Sequence, residues 1–565
     1  MSKSDDARGS RRSRVSRLGG VAIVVVLTLV SAACGSSSHS TATGATSTTV
    51  SSKPVSGGAL VVGIPVETPG WNPAVNEWDD SGNLVGSTML EPLATAGADS
   101  GAKPWLATSW IANADFTRWV IKLRPGVTFQ DGTPFNAQAV VENMHTYLAS
   151  PFYTLTFAGL FQDETALDAS TVQVDLSQPW AAFPSSFLDS ASTYMMAPSM
   201  IAAGAAGSNH PVGTGPFVFS NWTQNSSLTV NRNPHYWGGL DGAGHVQQGT
   251  PYLDSIQFKV ITDDNTRSEA LQSGGIDMLT TISAHTANTL ASGFNEVKDW
   301  DGGSVFVQPN TVATVNGKPN PMANLHARLA VAYATDAKSV ANLAGKGLNV
   351  ATSPFGPNTP WGMPSSQNGY VSYDLTRAKA EVAQYEQETG ATSLAITLMG
   401  LPNLDVVTTL QALSAQWAKA GIVTHIQTLD QSARITAIVT GNYQITYTNN
   451  YGYPDPDNDF YFWDSSSIKP PPGISINFAH YGTTQIDTDL TTGRQSGYPN
   501  IRKTAYDDLV KQLNAGVTHV WLYYTPFTYI AQKRVQGLDT TQGPAHIPFG
   551  NFTPKTWWAQ VWVSH

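Results

Sequence analysis

An alternation of strand and helix patterns in the C-terminal half constrains the fold of this chain most. Residues 395–399 form a short apolar strand pattern, residues 406–420 a helical pattern that Gly421 stops, and residues 422–427 a second strand pattern. A strand, a helix and a strand in this order predict a parallel pair with a right-handed crossover. The apolar run at 59–64 predicts a further buried strand. The body of the chain is therefore expected to be α/β.

Local signals predict several further elements. Trp119 to Leu123 alternates as a strand, and Thr133 with Pro134 predicts the start of a helix that continues through Met144. A second helix is expected between Asp374 as its cap and Gly390. Another strand is predicted at 517–524.

The N-terminus has the pattern of an export signal. A basic stretch ends at Arg17, and the apolar run at 21–30 is shorter than the roughly 20 residues of a membrane-spanning helix. Residues 31–34 (Ser-Ala-Ala-Cys) then resemble a bacterial lipobox, which predicts a signal peptide at 1–33 and lipidation of Cys34. Cys34 is the only cysteine in the chain, so no disulfide can form. An ordinary signal peptide with an incidental cysteine is the alternative, and Arg11-Arg12 leaves open the twin-arginine route as well as the general one.

The segment after Cys34 predicts a tether. Residues 34–56 consist mostly of Ser, Thr, Ala and Gly, with no aromatic side chain, and cannot bury enough apolar surface to fold. The formal net charge of the chain is −10, which argues against nucleic acid as a partner. A lipid anchor, a tether and an acidic body together predict an exported protein held on the outer face of the cytoplasmic membrane.

Two loops have the composition of a ligand cleft. The predicted strand 443–447 is followed by a loop of Asn, Tyr, Asp and Pro that ends near Phe460, where aromatic faces alternate with amide and carboxylate groups. Glu67 and Trp71 follow the predicted strand 59–64, and crevices at the carboxyl ends of strands are where open α/β sheets bind ligands. A solvated turn is the alternative for the first of these loops.

Several segments together resemble the family 5 extracellular solute-binding proteins, the oligopeptide, dipeptide and nickel receptors of bacterial ABC importers. They occur in the family's order over roughly 450 residues. The segment Leu123–Phe135 departs from the family pattern at Gln130, where His is common. The segments are Pro104–Trp110, Leu123–Phe135, Gly213–Phe217, Arg232–Trp237, Gln272–Asp277, Arg328–Asp336 and Pro454–Asp457.

The resemblance implies a fold of two α/β lobes, the type II, cluster C periplasmic-binding-protein fold, with an extra subdomain in lobe one. By analogy the chain crosses between lobes near Thr262 and near Tyr524. Lobe one is then expected at 57–261, with the extra subdomain at roughly 86–195 and a C-terminal return at 525–565. Lobe two is expected at 262–524.

The resemblance also implies the function. A solute would be captured between the lobes by hinge closure, and the closed form would be delivered to an ABC permease with its ATPase subunits. A peptide or peptide-like solute is the expected ligand, and a metal chelate, oligosaccharide or opine-like molecule on the same scaffold is the alternative. The chain is expected to act as a monomer without a cofactor or a metal centre.

The residues expected to line the cleft come from the two loops above. The loop after the predicted strand 443–447 departs from the pattern of the peptide-binding members. Those members carry a Trp and, three residues later, an Asp that pairs with the α-ammonium group of the peptide. Asn449 and Gly452 occupy those positions, so Asp455, Asp457 or Glu67 would have to supply the charge, or the ligand has no free amino terminus. We favour the latter hypothesis. The expected ligand-binding residues are Glu67, Trp71, Asn72, Trp78, Tyr447, Asn449, Tyr451, Gly452, Tyr453 and Asp455.

An enzyme is the remote alternative, and the sequence gives it no support. Ser466 and Lys469 fit a Ser-x-x-Lys pattern without the companion motifs of that enzyme class. Glu142 and His145 lack a second histidine at metal-binding spacing, which favours a surface pair. The pair Asp79-Asp80 is expected in a solvated turn, although a role in binding a cationic ligand group stays open.

Overall fold

The computed structural model describes residues 53–76, 78–97, 101–154, 156–189, 193–239, 246, 250–299, 303–450, 455–470, 473–538 and 558–564. The predicted signal peptide, Cys34 and all but the last four residues of the predicted tether lie outside these ranges. In the part of the chain that the structure describes, every helix is too short or too polar to cross a membrane.

The strands of the described residues follow the chain in this order: β1 (Ala59–Ile64), β2 (Ala94–Ala96), β3 (Ala102–Pro104), β4 (Ala107–Ala112), β5 (Arg118–Leu123), β6 (Phe161–Asp168), β7 (Thr171–Leu176), β8 (Phe217–Thr223), β9 (Ser227–Arg232), β10 (Ser255–Val260), β11 (Met278–Thr281), β12 (Asn295–Asp299), β13 (Ser304–Pro309), β14 (Thr314–Val315), β15 (Lys318–Pro319), β16 (Ala395–Gly400), β17 (Val423–Thr428), β18 (Ile445–Asn449), β19 (Val520–Tyr524), β20 (Phe527–Ala531), β21 (Val535–Gln536) and β22 (Trp562–Val563). The α-helices are α1 (Asp80–Gly86), α2 (Ala137–Leu148), α3 (Pro151–Thr154), α4 (Pro198–Ala202), α5 (Asp264–Gln272), α6 (Ala284–Leu290), α7 (Leu325–Ala334), α8 (Ala337–Ala344), α9 (Leu375–Thr389), α10 (Leu404–Ala418), α11 (Gln431–Val439), α12 (Phe460–Trp463), α13 (Thr484–Gln495) and α14 (Pro499–Ala515).

The largest sheet forms the first lobe. Its strands lie in the order β12-β20-β11-β1-β10-β9-β8. The apolar strand β1 is central and runs parallel to both β10 and β11, as its continuous apolar sequence predicts. A separate antiparallel sheet, β4-β5-β7-β6, lies within the range expected for the extra subdomain and shares one apolar core with the large sheet.

A second sheet, in the order β17-β16-β18-β13-β19, forms the other lobe. Strands β16 and β17 are parallel with Ala395 opposite Val423, and α10 connects them, so the predicted β-α-β unit is confirmed. The strand predicted at 443–447 begins two residues later, at Ile445. The core of this lobe is a separate set of buried apolar side chains from residues 305–523.

The predicted crossing near Thr262 is wrong. Strand β10 ends at Val260, but β11 and β12 return to the first sheet, where both pair with β20. The chain therefore changes sheets later, between Asp299 and Ser304. The second change of sheet lies between Tyr524 and Phe527, where β19 of the second sheet is followed by β20 of the first.

The helix predicted to begin at Thr133 begins three residues later than expected. Asn136 caps α2 by accepting a hydrogen bond from the main-chain N–H of Ala139. Thr133 instead closes a tight turn, in which its main-chain N–H and its hydroxyl both donate to Asp131 at 2.9 and 2.6 Å. The side chain of Asp131 therefore stabilises the turn and delays the helix. In contrast, α9 has the predicted cap at Asp374 and ends at Gly390, whose φ of 69° lies in the left-handed region.

Candidate functional site

The topology brings one edge of each sheet together. The parallel strands β1, β10 and β11 end at one edge of the first sheet, and β16 and β18 end at one edge of the second. Strands β19 and β20 connect these two edges through a two-residue link. Contacts cross between the lobes beside this link: Ser283 Oγ donates to Asp405 Oδ2 at 3.1 Å. The space between the two edges is therefore the candidate ligand cleft.

On the first lobe, the four residues predicted from sequence form one packed corner. Trp71 is 1% exposed and lies edge-to-face against Trp78 and Trp222, with ring centroids 6.1 and 5.8 Å apart. The Trp78 indole N–H donates to Gly70 O at 2.9 Å, and the Asn72 side chain accepts from the Ala74 N–H at 2.9 Å. Glu67 accepts hydrogen bonds from the Trp222 indole and from the main-chain N–H of Asn225. Trp71 and Trp78 thus contact each other directly, whereas Glu67 and Asn72 are held by neighbouring residues.

On the second lobe, the predicted residues lie at or beyond the end of β18. The hydroxyls of Tyr447 and Tyr523 share a hydrogen bond of 2.8 Å, and burial raises the pKa of both phenols, that of Tyr523 to about 12. Asn449 is partly exposed and is the last residue of β18. Tyr451, Gly452 and Tyr453 lie outside the described residues.

The carboxylates proposed to replace the missing counter-charge already have partners. Asp455 is 1% exposed and accepts two hydrogen bonds from Arg502, at 2.6 and 3.0 Å. Asp457 is fully buried, and Arg494 Nε donates to its Oδ1 at 2.7 Å. Glu67 accepts hydrogen bonds from Trp222 and Asn225 of the β8–β9 hairpin. Arginines therefore already neutralise Asp455 and Asp457, whereas both donors to Glu67 are neutral N–H groups.

Two acidic side chains near the cleft edges were not predicted as site residues. Asp459 is 2% exposed; its Oδ2 accepts from Asn450 Nδ2 at 3.0 Å, and no hydrogen bond from the described residues reaches its Oδ1. Burial raises the pKa of Asp459 to about 7. Asp80 begins α1, and its Oδ1 also has no hydrogen-bond partner in the part of the chain that the structure describes. Burial together with the neighbouring Asp79 raises the pKa of Asp80 well above the usual range.

The sequence held a signal for both groups. Asp459 is one of three aspartates in Asp455-Pro-Asp-Asn-Asp459, and Asp79-Asp80 is an acidic pair after a predicted strand. The predicted solvated turn at Asp79-Asp80 is wrong, because Asp79 caps α1 by accepting from the Gly82 N–H at 2.9 Å. Within the described ranges, no group of three or more His, Cys, Asp or Glu side chains is arranged to hold a metal ion.

Three of the segments that carry the family resemblance meet around the buried Glu91. One carboxylate oxygen accepts from Trp105 Nε1 at 3.0 Å and from the Tyr236 hydroxyl at 2.8 Å. The other oxygen accepts from Thr214 Oγ1 and Trp237 Nε1, both at 2.8 Å. Burial raises the pKa of Glu91 to about 7, although all four hydrogen bonds oppose that rise. These motif side chains therefore stabilise the first lobe.

Gln130, the position that departs from the first signature, connects the same region. Its amide nitrogen donates to the carbonyl oxygens of Met89, Gly215 and Phe217 at 3.0, 3.2 and 2.7 Å. Its amide oxygen accepts from the Gly213 N–H at 3.1 Å. Glutamine thus holds the two signature segments together through main-chain contacts.

Replacing Glu91 by glutamine is expected to lower the free energy of unfolding by about 1–3 kcal/mol at pH 5, where the folded carboxyl is protonated and ionisation adds little penalty. Glutamine presents an NH₂ group to two of the four donors, and those donors then have no acceptor. Thermal or chemical denaturation of the full chain measures the change. Glu269→Gln, at an exposed position on α5, is the matched control and should stay within about 0.5 kcal/mol of the native protein. An equal effect of the two substitutions would contradict this role of Glu91.

Known proteins share this architecture. The family model for bacterial extracellular solute-binding proteins, family 5, middle region, matches residues 101–470. A glutathione-binding protein of Pectobacterium atrosepticum is 25% identical over 448 residues, which cover 76% of this chain and 82% of the relative.

Solved structures agree in fold. A binding protein from Agrobacterium tumefaciens R10, solved with agropinic acid, has a TM-score of 0.73 at 23% identity and covers 90% of this chain and 99% of its own. An ABC transporter-associated periplasmic binding protein from Helicobacter pylori, solved with the peptide STSA, has a TM-score of 0.73 at 20% identity with the same coverage. The fold is that of the type II, cluster C periplasmic binding proteins. With its family model matched over residues 101–470, the chain belongs to family 5 of the extracellular solute-binding proteins, the extracytoplasmic binding components of ABC importers.

Proposed function

We propose that the chain is a lipid-anchored receptor that captures a peptide or peptide-like solute between its two lobes and delivers it to an ABC permease. The observation that carries this proposal is the meeting of the two sheet edges, connected by the short link between Tyr524 and Phe527. Short links between two separately packed lobes allow hinge closure around a ligand. The lipobox-like segment before Cys34 supports attachment to the outer face of the cytoplasmic membrane.

The ligand we infer has no free α-ammonium group. Glu67, Asp455 and Asp457 each have hydrogen-bond partners within the protein, and Gly452 offers no charge. Burial raises the pKa of Asp80 and of Asp459, so the charged form of each carboxyl is more costly and each is a weaker counter-charge for a cation than an exposed carboxylate. A peptide with a blocked amino end, or a non-peptide solute of similar size, avoids leaving an ammonium group buried without a partner.

A ligand panel tests this proposal. We expect N-acetylated di- to pentapeptides to raise the melting temperature of the full chain more than the same peptides with a free amine. At 100 times the dissociation constant, a ligand stabilises the folded state by about 2.7 kcal/mol. The panel includes glutathione, agropinic acid and a nickel–histidine chelate, so that a non-peptide ligand is detected in the same assay. A shift without any conversion of the ligand separates a receptor from an enzyme.

A strict preference for the free amine would contradict the blocked-ligand hypothesis. The substitutions Asp80→Asn and Asp459→Asn would then identify the carboxylate responsible, because only one of them should abolish the preference. No shift with any peptide, together with a shift from one of the other solutes, would replace the peptide class by that solute class.

A further inference from the structure

A contact region around Asp457 joins the extra subdomain of the first lobe to the second lobe. The larger apolar cluster of the first lobe includes Trp180 of the subdomain. The apolar clusters of the second lobe draw on residues 305–523 and 355–513 and share no residue with it. The lobes therefore meet here as two separately packed bodies. The residues in this contact region are Phe116, Phe157, Trp180, Ala181, Ala182 and Ser186 of the subdomain and Asp457, Tyr461, Arg494 and Gly497 of the second lobe.

Asp457 is the polar centre of this region. Its Oδ2 accepts hydrogen bonds from Trp180 Nε1 and from Ser186 Oγ, both at 2.7 Å. Arg494 of the same lobe donates to the other oxygen of Asp457 at 2.7 Å. Asp457 and Trp180 are fully buried, and the Arg494 side chain is 3% exposed. One oxygen of the Asp457 carboxylate thus accepts a hydrogen bond from its own lobe, and the other accepts two from the subdomain.

Main-chain and aromatic contacts surround that centre. The carbonyl oxygen of Arg494 accepts from the N–H groups of Ala181 and Ala182 at 3.0 and 3.2 Å. The Arg494 guanidinium lies 5.4 Å from the centroid of the Trp180 ring, within the range of cation–π attraction. The rings of Phe157 and Tyr461 meet edge-to-face at 5.9 Å. The region therefore combines charge-assisted, main-chain and aromatic contacts across the two lobes.

Gly497 allows the closest approach at the edge of this region. A Cβ atom at Gly497 would lie 2.4 Å from the ring of Phe116, which belongs to the turn between β4 and β5. The turn between β4 and β5 thus packs against the main chain of the second lobe at Gly497. A side chain at this position would therefore have to displace the Phe116 ring.

We propose that these residues form a latch that stabilises the closed arrangement of the lobes without help from a ligand. Separation of the lobes leaves the Asp457–Arg494 pair intact, because both residues belong to the second lobe. It removes the Trp180 and Ser186 donors from a charged acceptor, and hydrogen bonds to charged groups are stronger than those between neutral groups. The inference rests on the proposed function only in assuming that the lobes open and close.

The latch has a consequence for ligand affinity. A receptor whose binding-competent form is only partly populated binds with an affinity reduced by that fraction. Because the latch stabilises the closed arrangement before a ligand binds, the ligand has to supply less of the free energy of closure. The ligand-free receptor then also has a closed population. The balance set by Asp457 and its two donors from the subdomain decides how large that population is.

The test measures the closed population with no ligand present. Single-molecule energy transfer is recorded between dyes at Ala203→Cys on the first lobe and Gln387→Cys on the second, both at exposed positions, in the full chain with Cys34→Ser. We expect the closed-to-open ratio to fall about tenfold or more in the double variant W180F/S186A, which loses both donors to Asp457. The single variant S186A keeps the tryptophan and should show a smaller fall in the same direction, which tests the latch even where W180F disturbs folding.

A matched control separates the latch from general destabilisation. Trp558 Nε1 donates to Leu84 O and to Ser87 Oγ at 3.0 and 3.2 Å, entirely within the first lobe. W558F/S87A therefore removes the same chemical groups and should lower the melting temperature while changing the closed-to-open ratio less than about twofold. An unchanged ratio in both S186A and W180F/S186A, or an equal fall in the control, would overturn the latch. Because no ligand is used, this result is independent of the ligand panel.

Discussion

Replacing Arg502 by methionine is expected to lower the free energy of unfolding by about 3–5 kcal/mol. Arg502 donates to both oxygens of Asp455, at 3.0 and 2.6 Å, and the Asp455 side chain is 2% exposed. Methionine fills a similar volume but leaves this carboxylate buried without a counter-charge. Asp455 also accepts from the Asp457 N–H at 3.0 Å, so the turn that carries Asp457 is expected to loosen as well. Denaturation of the full chain, followed by tryptophan fluorescence, measures the loss.

Two further variants show whether the unpaired charge causes that loss. Arg377→Met breaks an exposed pair with Asp374, whose side chains are 67% and 43% exposed, and should cost less than about 1 kcal/mol. The double variant D455N/R502M removes both charges and should regain part of the stability lost in R502M. A cost for R502M no larger than that for R377M would show that the buried pair does not determine stability.

Local sequence signals predicted the fold where the interactions are local. The parallel pair of β16 and β17 was predictable because apolar periodicity, a helix of ordinary length and Gly421 all lie within 34 residues. The same holds for α9, whose cap at Asp374 and end at Gly390 are signals within the helix itself. Elements that form through short-range capping and periodicity could therefore be assigned before the structure.

The first crossing between lobes could not be assigned in this way. It depends on β11 and β12, which join the first sheet by pairing with β20, a strand more than 200 residues further along the chain. The composition of residues 278–299 does not indicate which of the two sheets these strands join. The error at Thr262 therefore reflects long-range pairing, which local periodicity does not encode.

The same limit applies to the candidate site. The sequence identified the acidic loop at 455–459, but the partners that occupy its carboxylates are remote: Arg502 is 47 residues from Asp455, and Trp180 is 277 residues from Asp457. Among the described residues, the acidic side chain of this loop that keeps an oxygen without a hydrogen bond is Asp459. The sequence had predicted no role for it. Composition could predict a polar cleft wall, and only the packing shows which charges are already neutralised.

Asp459 is expected to make the stability of the protein fall as the pH rises. Burial raises its pKa from 3.8 to about 7, so the folded state binds the proton more tightly than the unfolded state does. The contribution is fully present below pH 3.8 and is lost progressively as the pH rises to about 7, a total of about 4 kcal/mol at 1.36 kcal/mol per pH unit. Asparagine cannot ionise and keeps a similar shape. Denaturation of the native protein and of Asp459→Asn at pH 4.5 and pH 8 measures the difference.

The gain in stability from Asp459→Asn should be about 3 kcal/mol larger at pH 8 than at pH 4.5, because ionisation of the buried carboxyl penalises only the native protein. Glu91, whose pKa also rises to about 7, adds a slope of the same sign to both proteins and cancels in the comparison. Asp508→Asn, at an exposed pair with Lys511, serves as the control and should leave the profile parallel to that of the native protein. A parallel profile for Asp459→Asn itself would mean that the Asp459 carboxyl reaches water or a cation in the folded state. That result would make Asp459 a counter-charge in the cleft and would remove the main argument for a ligand with a blocked amino end.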